Sequence, residues 1–251
     1  MSTAPSPTAA PTAGSRYRLA AVLTAAAALL AIAGFTALGS VFEYPQILES
    51  PTADILESFR AHQGVVVAWF AVLVVSAALL APIGVLLGTA TGGRPGRWIV
   101  STGIAAAIVQ VVGLSRWVLF VPGISEDALD PVRTAQAHHR FELLHTWLGT
   151  VVGETVGYTL TAVFTVLVSA TVVRAVAPRW MVGLGHASAA LIATGVLVPL
   201  GVHAATLTNF AGYVGWCLWL IALAVALWRA ARPAADAGRR SSAASSRDAA
   251  R

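Results

Sequence analysis

One acidic residue lies inside the apolar stretches of this sequence, and it is the first candidate for chemistry. Glu154 belongs to the segment HTWLGTVVGETVGY, residues 145–158, which opens an apolar run that continues to about Val173. A carboxylate at membrane depth is costly, so it almost always faces the interior of a helix bundle or a wet cavity. Because apolar surroundings disfavour the ionised form, such an acid can keep its proton at neutral pH and donate it. Glu154 is therefore the candidate general acid.

Other polar and aromatic residues are concentrated at the same depth. Glu43 is the candidate second carboxylate, as relay or base, and Arg116 and His145 are candidates to tune or orient Glu154. His203 ends the fifth apolar run at this level. The predicted substrate-binding residues are Trp117, Trp147, Tyr158, Asn209, Tyr213 and Trp216.

These residue types favour one reaction class. The π faces of aromatic rings stabilise cations, so an acid among such rings suits the proton-initiated, non-redox cyclisation of a prenylated substrate. An isoprenoid-type lipophilic substrate would partition into the bilayer, where the site lies. We expect neither a cofactor nor a metal ion at this site.

Helical spacing predicts which of these side chains share a face. Trp147, Glu154 and Tyr158 follow one another at steps of seven and four, which place them on one face of an α-helix. His145 would be about half a turn out of phase with Glu154. Small residues at steps of four predict a face for close helix packing at Gly149, Gly153 and Gly157.

Composition indicates an all-α integral membrane protein. The 251 residues are 57% hydrophobic and only 11% charged, whereas soluble domains carry about 25% charged residues. Six apolar runs are each long enough for a helix to cross a bilayer, which needs about 20 residues. We therefore predict a bundle of six transmembrane helices (spans one to six), at about 19–40, 64–88, 98–121, 147–173, 181–202 and 208–229.

Charge predicts the orientation of the spans. Arginine-rich ends favour the cytoplasm, and most of the arginines flank one set of span ends or occupy the tail. Most acidic residues occupy the opposite connections. Both termini are therefore expected in the cytoplasm and the chain in the plasma membrane. The predicted domains are a disordered tail at 1–17, the membrane domain at 18–230 and a second disordered tail at 231–251.

The remaining composition excludes other classes of protein. All basic residues are arginine, and they lie beside apolar runs, so the net charge of +5 predicts no nucleic-acid partner. The single cysteine, Cys217, excludes an internal disulfide. The bilayer is the expected surrounding, and the sequence predicts no particular oligomeric state.

The two long connections on the acidic side are predicted to contain short helices. In the first, Ile55, Leu56 and Phe59 recur at helical spacing, which favours a helix lying in the membrane interface. In the second, Asp130-Pro131 resembles an N-cap followed by proline at the first helical position. A helix is expected to begin there and run towards span four.

Several motifs together resemble a bacterial family of six-span membrane proteins, most of them filed as a domain of unknown function. The resemblance covers roughly residues 18–230 and includes His145. Its other motifs are FEYP at 42–45, LSRW at 114–117, GETVGY at 153–158 and PRW at 178–180. In size and in its membrane carboxylates, the chain is also similar to actinobacterial integral-membrane terpene cyclases of the drimentine type and to fungal meroterpenoid cyclases. That similarity implies acid-initiated cyclisation.

Two other classes of function remain open. In a small-molecule or proton-coupled transporter, Glu154 would be the proton or cation site and Arg116 its switchable partner. The sequence shows neither the inverted repeats nor the broken helices common in transporters. In a non-catalytic membrane protein, a buried pair of Glu154 and Arg116 would only fix the helix arrangement. A closed aromatic chamber around Glu154 would favour the enzyme.

Overall fold

The protein is described here by a computed structural model covering residues 13–202 and 204–248, with side chains at 14–202 and 204–232. Within these residues six helices are long and apolar enough to cross a membrane, which makes the chain a multi-pass membrane protein. They comprise Gly14–Phe42, Gln63–Thr91, Gly93–Asp127, Thr134–Val176, Arg179–Leu200 and Ala204–Arg232. His203 lies outside the described residues.

The first three spans combine long helices with breaks near prolines. Span one is helix α1, Ala13–Phe42, and a 3-10 helix, Gln46–Glu49, follows it. Span two is divided into α3, Gln63–Ala78, and α4, Leu80–Thr91, because Pro82 has no N–H to donate to the preceding turn. Span three contains α5, Gly93–Leu119, and α6, Val121–Asp127, with Pro122 at the start of α6. Between spans one and two lies α2, Thr52–Ala61.

Span four departs from regular α-helical geometry around Glu154. It begins as α7, Thr134–Leu144, and becomes a π-helix at His145–Val156. It continues as α8, Gly157–Val168, a second π segment at Ser169–Val173 and α9, Arg174–Val176. The Thr155 hydroxyl donates to the carbonyl of Thr150, five residues earlier, which matches the wider turn of a π-helix.

Span five ends in a 3-10 helix, and span six continues as one helix beyond its predicted end. Span five contains α10, Arg179–Ala193, and a 3-10 helix, Thr194–Leu200, in which Pro199 cannot supply the N–H of an α-helical turn. Span six is α11, Ala204–Asp248. Its backbone is helical through most of the predicted disordered tail at 231–251, since alanine and arginine are strong helix formers. The N-terminal tail was expected to reach 17, but α1 begins at Ala13, and residues 1–12 lie outside the described part.

Each span packs on the next, and span six returns to span one. Helix α5 contacts α3, α4, the π-helix and α8, while α10 joins α8 to α11, which packs against α1. Span five therefore packs against both span four and span six. Glycines allow spans three and four to cross closely: a Cβ at Gly113 would lie only 2.7 Å from the Cα of Gly153.

Two clusters of buried side chains form the core. One includes Leu80, Phe164 and Trp219 and holds the spans together, and the other surrounds Trp117 at the end of the bundle where α2 and α7 pack. The predicted helix between spans one and two exists as α2. Its apolar residues Ile55, Leu56 and Phe59 are buried in the Trp117 cluster, so this face contacts protein and not the membrane interface.

In the connection between spans three and four, the helix begins later than predicted. Asp130 caps a turn: its carboxylate accepts hydrogen bonds from the backbone N–H of Val132 at 2.9 Å and from Nε of Arg133 at 2.8 Å. Helix α7 starts only at Thr134, whose N–H donates to the carbonyl of Asp130. The helix does run on into span four as expected.

Candidate functional site

Glu154 lies in the π-helix of span four and is half-buried. Among the described residues its carboxyl group takes part in no hydrogen bond and no ion pair. Its charge nevertheless acts on Arg116 and on the phenols of Tyr44, Tyr158 and Tyr213. The acid is therefore surrounded by polar groups without being held by any of them.

Arg116 is a buried cation that the surrounding protein satisfies only in part. Its side chain is 4% exposed, and Nη1 donates to the carbonyl of Gly113 at 2.6 Å. Its Nε and Nη2 are buried and have no acceptor among the described protein atoms. Gly149 supplies the space, since a Cβ there would lie 2.8 Å from Nη2. Arg116 and Glu154 form no ion pair in the described structure, so the buried pair considered as a purely structural alternative is not seen there.

Two further buried nitrogens adjoin Arg116. Its guanidinium carbon lies 5.4 Å from the centroid of the Trp117 ring, and the charge of Arg116 also acts on His145. Phe141 links the two rings, stacking on His145 at 6.0 Å and meeting Trp117 at 5.9 Å. Nε1 of Trp117 and Nδ1 of His145 are both buried without a partner in the described part of the chain.

The expected second carboxylate, Glu43, lies at the surface of the protein. Glu43 is exposed, and its φ of 50° turns the chain sharply after span one. Its neighbour Tyr44 faces the site: the ring packs on Phe70 at 5.3 Å, and burial raises the pKa of Tyr44 to about 12, with Glu154 adding to the rise and Arg116 opposing it. Glu43 therefore lies at the surface while Tyr44, the next residue, is partly buried; the role of Glu43 as a second carboxylate stays a prediction.

The predicted aromatic set divides into three groups. Trp117 is fully buried and stacks on Phe70 at 4.9 Å, within the core. Trp147 is 61% exposed, so it does not share an inward face with Glu154 as α-helical spacing predicted; the π-helix changes the phase. Tyr158, Tyr213 and Trp216 pack together, with ring centroids 5.6 and 6.0 Å apart.

A hydrogen-bond network not predicted from the sequence supports this last group. Gln110 donates to the hydroxyl of Thr161 at 2.6 Å. Trp216 donates to the hydroxyl of Thr165 at 2.9 Å, and Thr165 donates to the backbone of Thr161. The only sequence signal was polar residues recurring within apolar runs. These bonds fix spans three, four and six relative to one another.

Asn209 has a structural bond of its own. It is buried and donates to the backbone carbonyl of Ile192 at 2.8 Å, across the junction between α10 and the following 3-10 helix. Gly195 leaves room for both Asn209 and the ring of Tyr158. Asn209 therefore fixes the irregular end of span five beside Tyr158.

Two cavities lie at opposite ends of span three. The first, about 380 Å³, is an open groove lined by Phe120, Ile124, Arg140, Leu143 and Leu144. The second, about 330 Å³, is lined by Arg94, Arg97, Trp98 and Ser101. Neither lining includes Glu154, so neither cavity is a closed aromatic chamber around this acid. In the described ranges no three His, Cys, Asp or Glu side chains converge as metal ligands would.

Comparison with known proteins places this architecture in a family. No curated protein and no solved structure matches the chain. Residues 19–224, which include all six spans in whole or in large part, match a family described as a domain of unknown function, DUF4386. The resemblance to terpene cyclases has no support from these comparisons. The chain belongs to the DUF4386 family of membrane proteins.

Proposed function

We propose that the protein is an integral-membrane enzyme in which Glu154 acts as a general acid on a lipophilic substrate. The observation that carries the proposal is the carboxyl group of Glu154, which is half-buried within a membrane span and has no hydrogen-bond or ion-pair partner in the described structure. A tight pair with Arg116 would hold the acid in its ionised form. Its absence leaves Glu154 able to carry and donate a proton.

Cyclisation of a prenylated substrate is the reaction that suits this setting best. The acid proton adds to a terminal alkene, and the resulting carbocation is attacked by a neighbouring alkene, which forms a C–C bond and closes a ring. Loss of a proton from carbon to a base then ends the reaction. The product is an isomer of the substrate. The rings of Tyr158, Tyr213 and Trp216 would shield the cation, since aromatic faces attract positive charge.

Isotope labelling tests this role. Membranes containing the protein are incubated in D₂O with farnesylated substrates, and products are separated by mass spectrometry. We expect an isomeric product that has gained one deuterium, and its loss in Glu154→Gln. Glu49→Gln, an exposed acid on the connection after span one, is the matched control and should retain activity. Full activity of Glu154→Gln would contradict the proposal.

A proton-coupled carrier is the second candidate, and the backbone of spans four and five favours it. Transporters commonly bind their substrates where membrane helices are interrupted. The π-helix around Glu154 and the 3-10 helix at Thr194–Leu200 are such interruptions, and the 3-10 helix ends at Gly201 with φ of 83°. Proton uptake into liposomes that depends on an added lipophile and is lost in Glu154→Gln, with no chemical product, would favour the carrier.

We further propose that both termini face the cytoplasm and that the protein resides in the plasma membrane. The support is the distribution of charge. Arg94, Arg97, Arg174 and Arg179 lie at the span ends beside the two short connections at one end of the bundle, whereas most of the acidic side chains lie at the other end.

A further inference from the structure

Arg116 has buried hydrogen-bond donors with no acceptor, and such groups are costly. An unsatisfied buried donor costs about 1–3 kcal/mol, and more when it is charged. Here Nε and Nη2 of Arg116, Nε1 of Trp117 and Nδ1 of His145 are all buried without a partner among the described residues. Isolated groups of this kind occur in many proteins, but these belong to three neighbouring side chains. Their shared requirement is an acceptor, best an anionic one.

The geometry of Arg116 suits an oxyanion. One guanidinium nitrogen, Nη1, is fixed by the carbonyl of Gly113, which orients the plane and leaves Nε and Nη2 available. Arginine presents paired N–H groups that match the two oxygens of a carboxylate or phosphate. His145 can add a third donor in the tautomer that carries hydrogen on Nδ1. Glu154 forms no ion pair with Arg116 in the described structure, so this position is not taken by the protein's own acid.

An apolar groove lies close in the chain to this cluster. The 380 Å³ groove is lined by Phe120, which follows Arg116 by about one helical turn and lies just beyond the end of α5, and by Leu144, which directly precedes His145. Apart from Arg140, its lining is apolar. The cluster and the groove therefore both lie on spans three and four.

We propose that Arg116, assisted by Trp117 and His145, binds the oxyanion group of a lipophilic molecule, a carboxylate or phosphate ester, whose apolar portion occupies the groove between α6 and α7. The inference rests on the proposed function in naming a substrate class for it, but the groove does not include Glu154, and the inference requires only binding and no proton transfer. Binding and catalysis are measured separately, so failure of the binding proposal and failure of the proposed function can be told apart.

Direct binding to the purified full-length protein in nanodiscs tests the proposal. The probes are laurate, its neutral methyl ester, acetate and inorganic phosphate, followed by calorimetry and by thermal unfolding. We expect laurate to bind and to raise the melting temperature, and the methyl ester, acetate and phosphate to bind at least about tenfold more weakly. Equal binding of laurate and its ester would overturn the oxyanion site. Equal binding of acetate or phosphate would overturn the lipophilic partner.

Substitutions at Arg116 and Gly149 test whether the guanidinium of Arg116 binds laurate. Arg116→Gln should weaken laurate binding by about tenfold to a hundredfold, the value of charge-assisted hydrogen bonds. Gly149→Ala keeps the arginine but displaces its guanidinium, and it should weaken binding similarly. Arg116→Lys should restore part of the affinity. Melting temperatures identify any variant that fails to fold, and the remaining variants then decide.

Two controls separate this inference from its alternatives. Arg140 lines the groove but is half exposed and paired with Asp127 at 3.3 Å. Arg140→Gln should therefore leave laurate binding within about twofold, and a larger loss there than in Arg116→Gln would overturn the proposal. Glu154→Gln should bind laurate as the parent does while losing any catalysis. Loss of laurate binding in Glu154→Gln alone would contradict a site centred on Arg116.

Discussion

Arg116 and Glu154 lie near each other but form no ion pair in the described structure. Each group is held where an apolar environment makes an unpartnered charge costly. A buried pair that only fixed the helix arrangement would bring the two groups into contact. Because no such contact is observed in the described structure, the acid Glu154 and the cation Arg116 each lack an oppositely charged partner there. Both proposals follow from this relationship.

The crossing of α5 and the π-helix should tolerate no added side chain. Gly113→Ala would place a Cβ 2.7 Å from the Cα of Gly153 and 3.0 Å from the backbone oxygen of Leu148, and backbone atoms cannot move aside easily. We expect a loss of about 1–3 kcal/mol of stability. Gly183→Ala in α10 is the matched control because nothing lies within 4 Å of its added Cβ. Melting temperatures measured by thermal unfolding in detergent check this prediction. An equal fall in the melting temperature of both variants would contradict this packing.

The hydroxyl of Thr161 should contribute measurably to holding spans three and four together. Thr161→Val removes the acceptor of Gln110. Side-chain hydrogen bonds within membranes are worth about 0.6 kcal/mol on average and about 1.7 at most. We expect a loss in that range by equilibrium unfolding. Thr159→Val, which loses only an exposed bond within its own helix, should change stability less.

Tyr44 should ionise only at strongly alkaline pH. Burial is the main cause of its raised pKa of about 12, and the charge of Glu154 adds to it. Because the native state prefers the neutral phenol, this contribution to stability is complete below about pH 10 and is lost as the pH rises through about 12. The difference in phenolate absorbance between the parent and Tyr44→Phe isolates this residue. A transition near pH 10 would show that Tyr44 is solvated.

The orientation of the bundle can be read with single cysteines. The native Cys217 is buried, so introduced cysteines report alone. A membrane-impermeant maleimide added to intact cells should label Glu57→Cys, on the connection between spans one and two, and should label Arg94→Cys only after the cells are opened. Both side chains are exposed. The reverse pattern would place the termini outside.

The sequence predicted the number and place of the spans because long apolar runs leave a chain in lipid few alternatives to a helix. It did not predict the position of Trp147, because α-helical phase fails where the hydrogen bonds shift to π spacing. Nor did it predict that Glu43 is exposed while Tyr44 is partly buried, because the left-handed backbone of Glu43 is not visible in the sequence. Helix α2 was predicted, but its partner was not: Phe59 meets Trp117, which is distant in sequence.

The protonation state of Glu154 tests the central claim most directly, and it requires no substrate. The infrared difference spectrum between the parent and Glu154→Gln at neutral pH should contain the carbonyl stretch of a protonated carboxylic acid, shifted to lower frequency in D₂O. An acid that already holds its proton can donate it to a lipophilic substrate. A difference spectrum showing only the bands of an ionised carboxylate would contradict the account, because Glu154 would then have no proton to give.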